Sequence, residues 1–279
     1  MHDQSLQVVF FSPTKNTQKI LAQIAGGMNL PLTAQPYIDL TTILHRKNAN
    51  EKIIGDIILF GVPVYVSKIP SMVLPVIAAL EGNGRWIIPV SVSGHVTHGE
   101  CLENMIWLFR HQGFRILAAG KFIGRHSFTT LEFSLGENRP NSKDMHSARE
   151  FGRTMAKKLR NSPTEIVLQG IPPSEESEEE EIPERKAQSL VDSPMHDPEK
   201  CQRCRVCYAH CPVDAIDFDS FANEQNPFVV DQDLCFRCFG CVYICPFDAL
   251  SIQLVMTPEK RQEFLQYDKE IQNPEVFLA

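Results

Sequence analysis

The residues best suited to chemistry in this 279-residue chain are cysteines. They read C-x2-C-x2-C-x3-C-P twice: Cys201, Cys204, Cys207 and Cys211 before Pro212, then Cys235, Cys238, Cys241 and Cys245 before Pro246. Thiolates at this spacing ligate a pair of [4Fe–4S] cubanes. Three cysteines two residues apart wrap one cube from a single tight loop. The fourth, ahead of Pro, lies too far along and reaches the other cube. The spacing assigns Cys201, Cys204, Cys207 and Cys245 to one cluster, and Cys235, Cys238, Cys241 and Cys211 to the second. The repeat runs past the ligands: Asp214-Ala215-Ile216 and Asp248-Ala249-Leu250 lie 34 residues apart, as the cysteines do. The unit reads as a duplicated supersecondary element. Paired C-x2-C motifs also hold structural zinc or form disulfides. Zinc has no need of the x3-C-P extension, and the secretion pattern that would accompany disulfides is not seen at the N-terminus.

The elements around this run must hold it and feed it electrons. The chain length allows one larger and one smaller domain. Net charge is −7, unevenly placed. Residues 1–160 carry 18 Lys and Arg against 11 Asp and Glu, whereas 161–279 carry 9 against 23. The acidic total argues against nucleic acid as a partner, and the asymmetry predicts attraction between the two halves. No apolar run approaches the roughly 18 residues needed to span a bilayer. The expectation is a cytoplasmic protein without a membrane span, in a reducing and anaerobic setting.

Strands and helices alternate in the first half. Gln7–Phe11 is an apolar strand. Ser12, Pro13, Thr14, Lys15, Asn16 and Thr17 follow, and then a helical pattern with Ile20, Leu21 and Ile24 on one face. A strand, a hydroxyl-rich turn and a helix N-terminus can aim backbone N–H groups and hydroxyls at one phosphate. Further strands are expected near Leu32–Ile38, Asp56–Gly61, Trp86–Val92 and Phe114–Ile123, with helices after Pro70, after Gly99 and from Ser142 to Leu159. Alternation of this kind predicts a parallel sheet covered on both faces. Its ligand crevice lies at the carboxyl ends of the strands. Pro63, Val64 and Tyr65 after the third strand, and Ser93, Gly94, His95 and Gly99 after the fourth, converge there with the Ser12–Thr17 loop. Cys101, the ninth cysteine, lies on an apolar helix and is expected in the core.

Across roughly residues 5–160 this order resembles flavodoxin, whose phosphate loop is similar to Ser12–Thr17. With the cysteine run included, the whole chain resembles the bacterial flavodoxin–ferredoxin fusion proteins. The resemblance implies a five-stranded flavodoxin-like sheet of order 2-1-3-4-5, an FMN cofactor, and a small α+β ferredoxin domain with two [4Fe–4S] clusters. Ser12, Thr14, Lys15, Asn16, Thr17, Pro63, Val64, Tyr65, Ser93, Gly94, His95 and Gly99 would hold the flavin. Lys15 stands where flavodoxins usually have Gly, as Arg205 and Phe239 do for ferredoxins. Val66-Ser67 replaces the Gly whose peptide flip stabilises one-electron-reduced flavin, and a β-branched residue resists positive φ. His95, His98 and Lys68 are expected to favour the reduced flavin anion.

The expected organisation is a flavin domain over 1–165, a flexible acidic linker over 166–193, a ferredoxin domain over 194–256 and a helical tail over 257–279. The linker reading rests on six Glu between Glu175 and Glu181, in a stretch too polar to order itself. Thr257-Pro258 reads as a helix start. The expected function is electron transfer among FMN, the clusters and external redox partner proteins. A flavin–iron–sulfur reductase of a quinone or nitro compound, and a cluster module without flavin, are the alternatives.

Overall fold

The computed structural model describes residues 4–173, 183–217, 228–267 and 273–278. Its sheet contains β1 (Leu6–Phe10), β2 (Leu32–Asp39), β3 (Ile57–Pro63), β4 (Trp86–Ser93), β5 (Arg115–Ile116) and β6 (Ala119–Ile123). Their order is β2-β1-β3-β4-β6, all parallel, with β5 also pairing with β4. This is the expected 2-1-3-4-5 doubly wound arrangement, with one difference. The single strand expected over Phe114–Ile123 is interrupted at Leu117-Ala118, and both pieces hold to β4. β1 and β4 are buried along their whole length, as central parallel strands covered on both faces must be.

The helices are α1 (Asn16–Met28), α2 (Ile43–Arg46), α3 (Ala49–Lys52), α4 (Leu74–Ala78), α5 (Cys101–His111) and α6 (Ser142–Arg160). One face of the sheet buries α1 and α6 in a core of Val8, Phe10, Ile20, Leu21, Ile24, Val90, Phe122 and Phe151. The two helices touch backbone to backbone, because a Cβ on Gly27 would lie 2.0 Å from the Arg149 carbonyl oxygen and one on Gly152 2.0 Å from that of Ile24. The other face buries α4 and α5 against Val9, Phe11, Phe60 and Val62. Cys101 is fully buried there, and burial pushes its thiol well up, so it packs as a small apolar side chain. α6 starts in a capping box between Asn141 and Asp144, and Arg139 grips the Asp144 carboxylate with two bonds of 2.6 Å.

The second module holds α7 (Val206–Ala209) and α8 (Gly240–Ile244), one per repeat, and an antiparallel pair of β7 (Met195–His196) and β8 (Leu250–Ser251). The repeat is visible in the backbone. Positive φ recurs at equivalent places: Arg203 and Arg237, Arg205 and Phe239, Asp214 and Asp248. The Ala215 and Ala249 N–H groups each donate to the sulfur of the Pro-flanked cysteine of their own repeat, at 3.3 and 3.4 Å.

The tail forms α9 (Pro258–Tyr267) and then a strand that periodicity did not predict, β9 (Glu275–Phe277), antiparallel to β6. It covers what would otherwise be an open sheet edge.

The expected linker over 166–193 is different in the structure at both ends, and its acidic middle, 174–182, lies outside the described residues. Ile166 is buried and its N–H donates to the Ile116 carbonyl. Arg110 binds the Ile166 and Leu168 carbonyls and the Glu165 carboxylate, at 2.7–2.8 Å. Residues 183–189 form a 3₁₀ turn, after which Leu190 and Val191 pack in a third core with Phe128, Phe133, Phe239 and Phe264. Apolar residues at the ends of a polar stretch were enough to dock it.

The two modules therefore touch. Arg46 Nη2 donates to the Pro212 carbonyl at 2.5 Å, and His210 Nε2 lies 2.7 Å from the Pro13 carbonyl. Tyr65 packs on Phe236 with ring centroids 5.6 Å apart, and Phe128 on Phe239 at 5.8 Å. Gly240 sits so close that a Cβ would meet the Cβ and carbonyl oxygen of Pro13 at 3.0 Å. The equivalent residue of the first repeat is Val206. Gly240→Val is expected to cost about 1–3 kcal/mol through overpacking, read as a lowered unfolding midpoint with iron content unchanged. A midpoint equal to that of the unsubstituted protein would show the contact to be slack.

Candidate redox site

The eight ligand cysteines line two cavities. Cys201, Cys204, Cys207 and Cys245 line one, and Cys211, Cys235, Cys238 and Cys241 the other. These are the crossed sets. Among the described residues no three His, Cys, Asp or Glu side chains converge as on a single ion; each cysteine set instead surrounds a space, as a cubane requires. Burial pushes the Cys207 thiol up to about 11 and those of Cys238 and Cys241 well above their usual range. In so buried a site iron takes the place of the proton. Cys204 is exposed and Cys211 buried, so one cavity faces outward and the other lies against the sheet domain. We call these the distal and proximal cluster sites.

The left-handed backbone that favours Gly is retained without Gly. Lys15, Arg205 and Phe239 have φ of 65°, 63° and 55°. Val66 and Ser67 have φ of 47° and 67°, so the expectation that Val66 resists this conformation is overturned. The local cost, of order 1 kcal/mol per residue, is met by the surrounding contacts. Tyr65 and Lys68 exchange two backbone hydrogen bonds of 2.9 and 3.1 Å across the turn.

A third cavity of about 280 Å³ opens at the carboxyl ends of the strands. Six of the expected flavin residues line it: Thr14, Pro63, Val64, Tyr65, Ser93 and Gly94. The other six do not appear in its wall. Ser12 Oγ instead accepts the Gln18 N–H at 3.1 Å, Lys15 pairs with Asp39 at 3.8 Å, and Asn16 Nδ2 donates to the Arg125 carbonyl at 3.0 Å. Thr17 is buried, His95 lies against Gly136, and Gly99 packs so tightly on Ser67 that a Cβ would fall 2.5 Å from its Cα. His98 and Lys68 are likewise absent from the wall, although the Lys68 backbone bonds to that of Tyr65, which lines it.

What periodicity could not supply is the rest of the wall. His126, Ser127 and Phe128 come from the loop after β6, Lys186 and Leu190 from the 183–191 segment, Phe236, Arg237 and Cys238 from the cluster module, and Phe264 from α9. A planar, largely apolar ring system fits this enclosure. Ser93 Oγ is buried at the wall without a hydrogen-bond partner among the described residues, and a ligand carrying ring carbonyls and nitrogens could satisfy it. The Phe128 N–H donates to His126 Nδ1 at 3.1 Å, which leaves the proton of the neutral ring on Nε2.

Burial pushes both His98 and His126 down to about 4. A folded-state value below the unfolded one means that the unfolded chain binds more protons as pH falls from about 6.5. The stability present above that pH is therefore lost between about 6.5 and 4, by up to roughly 3 kcal/mol per histidine. His98→Gln is expected to flatten this pH dependence in denaturant titrations by about one histidine's share. An unchanged slope would mean that His98 already titrates freely in the folded protein.

Among the described residues no helix is long and apolar enough to cross a membrane. No curated protein matches the sequence. Solved structures similar to this chain include a flavodoxin from the domain Archaea, at 16% identity over 56% of this chain and 99% of that one, with a TM-score of 0.40. The two-electron reduced flavodoxin of Megasphaera elsdenii is similar at 18% identity over 55% of this chain and 98% of that one, TM-score 0.37. Rubredoxin oxygen:oxidoreductase from Desulfovibrio gigas is similar at 14% identity over 56% of this chain and 36% of that one, TM-score 0.43. Residues 200–249, which contain all eight ligand cysteines, match the family of 4Fe-4S dicluster domains, and this part of the chain carries two [4Fe–4S] clusters in an electron-transfer role.

Proposed function

We propose that the protein is an electron carrier in which FMN, held at the carboxyl ends of the sheet, exchanges electrons with the proximal cluster, and the distal cluster exchanges them with an external redox protein. The observation that carries this reading is a shared wall. Phe236, Arg237 and Cys238 line both the flavin cavity and the proximal cluster cavity. Bound FMN supplies a centre that takes one or two electrons, where each cluster takes one. The chain's own residues do the positioning. Thr14, the residue of the Ser12–Thr17 loop that lines the cavity, would receive the phosphate. Tyr65, Val64 and Phe236 would flank the ring, Ser93 would bond to its edge, and Leu190 and Phe264 would keep water out. Exposed Cys204 marks the distal cluster as the point of contact for a partner.

The test is anaerobic purification followed by reconstitution with FMN. The visible spectrum should show flavin bands over the broad cluster absorption, with saturable binding of one FMN per chain. Thr14→Ala should weaken that binding about five- to tenfold, as expected for one lost hydrogen bond. Saturable FMN binding that never develops in cluster-replete protein would overturn the reading in favour of a cluster module without flavin. Steady turnover of a quinone or nitro compound would favour a reductase.

A further inference from the structure

Arg237 is the one charged residue common to the walls of the flavin cavity and the proximal cluster cavity, among the described residues. It is 6% exposed. Its Nη1 donates to the Cys235 carbonyl at 2.7 Å and its Nη2 to Gln232 Oε1 at 2.8 Å, so the guanidinium is pinned. Its Nε–H is buried and meets no hydrogen-bond partner among the described residues. The equivalent residue of the first repeat, Arg203, has the same left-handed backbone but is exposed. Duplication therefore accounts for the backbone, and in the second copy alone the charge is turned inward.

A buried guanidinium cannot shed its proton to avoid the cost of burial. It is offset only where negative charge sits beside it. Among the described residues the flavin cavity is lined by Arg237 and Lys186 and by no carboxylate. Negative charge grows on both sides of Arg237 when the centres are reduced: on the flavin ring, and on a thiolate-ligated cubane that is already anionic when oxidised and gains a further electron.

We propose that Arg237 is an anion-holding residue shared by the two redox centres, whose charge stabilises the reduced states of both bound flavin and proximal cluster while leaving the distal cluster unaffected. The inference rests on FMN occupying the cavity for its flavin half only. The cluster half stands on the cysteine geometry. Arg237 would act as a positioning and electrostatic residue that raises the potentials of both centres together.

The test uses the full chain with clusters and FMN, and three variants: Arg237→Gln, Arg237→Lys and, as the exposed counterpart, Arg203→Gln. Flavin potentials come from anaerobic spectroelectrochemistry and cluster potentials from redox titration followed by electron spin resonance. Arg237→Gln is expected to weaken reduced FMN about 100-fold relative to oxidised FMN, which lowers the two-electron potential by about 60 mV. The proximal cluster should fall with it and the distal cluster stay in place. Arg237→Lys should keep both potentials, and Arg203→Gln should move neither the flavin nor the proximal cluster. The proposal is overturned if Arg237→Gln leaves the flavin and proximal potentials in place, or if the distal cluster shifts as far as the proximal one. Should Arg237→Gln fail to assemble its proximal cluster, Arg237→Lys decides: potentials lowered as far as the glutamine variant was expected to lower them would sink the charge argument. If the unsubstituted protein takes up no FMN, the functional reading fails, and the proximal-to-distal potential difference in Arg237→Gln still tests Arg237 by itself.

Discussion

Replacing Cys238 by alanine is expected to cut the chain from about eight irons to about four and to stop electrons from the flavin reaching any cluster. Cys238 lines both the proximal cluster cavity and the cavity proposed to hold FMN, so on that proposal its cluster is the one an electron from the flavin would meet first. Cys204→Ala should remove the same amount of iron with the opposite result. Cys204 belongs to the exposed, distal set, and flash-reduced flavin should still bleach the remaining cluster. Iron analysis and flash spectroscopy on the two variants separate these outcomes. Equal bleaching in both would mean that the clusters are not ordered relative to the flavin.

The second large effect concerns docking. Phe128 packs edge-on against Phe239 in a core shared by the loop after β6, the 187–191 segment, the cluster module and α9. Phe128→Ala is expected to cost about 3–5 kcal/mol, measured as a lower denaturant midpoint. In the unsubstituted protein, flavin-to-cluster transfer should be independent of protein concentration and of salt. The surfaces meet mainly through rings and through hydrogen bonds to the Pro13 and Pro212 carbonyls, which are little affected by screening that acts on exposed charges over about 10 Å at 0.1 M. The ion pair between them, Arg261–Glu132, has an exposed carboxylate and contributes little. In Phe128→Ala the rate should fall and acquire a salt dependence, because a loosened module must find its place by diffusion. A salt-dependent rate in the unsubstituted protein would return the weight to the charge asymmetry between the halves and count against a docked pair.

The cluster ligands were legible in the sequence because their geometry is local. A cubane's needs are written into intervals of two and three residues, and the crossing of the fourth cysteine follows from chain reach. The parallel sheet was legible for a related reason: β1 and β3, buried on both faces, read as short apolar runs alternating with helices, while the strand order came from the resemblance to flavodoxin. Where a Gly was missing, at Lys15, Val66 and Phe239, residue type alone pointed the wrong way for Val66. Backbone conformation at such points is set by the contacts on either side, and their sum exceeds a local penalty of about 1 kcal/mol.

Tertiary structure alone decided what closes the cavity at the carboxyl ends of the strands. His126, Leu190, Arg237 and Phe264 come from four segments spread over about half the chain, and no periodicity links them. It also docked the described ends of the expected linker and gave the tail helix its packing partners. Composition averages over a segment, whereas docking needs only a few apolar side chains, such as Ile166, Leu190, Val191 and Phe264, to find complementary surface. The charge asymmetry suggested that the halves would attract; the contact itself combines rings, backbone carbonyls and a few cations, Arg46 on the Pro212 carbonyl, Arg125 over Tyr243 and Arg261 on Glu132. Net charge acts at long range and says where two surfaces drift, but the short-range fit that fixes Arg237 between the two cavities exists only once the chain is folded.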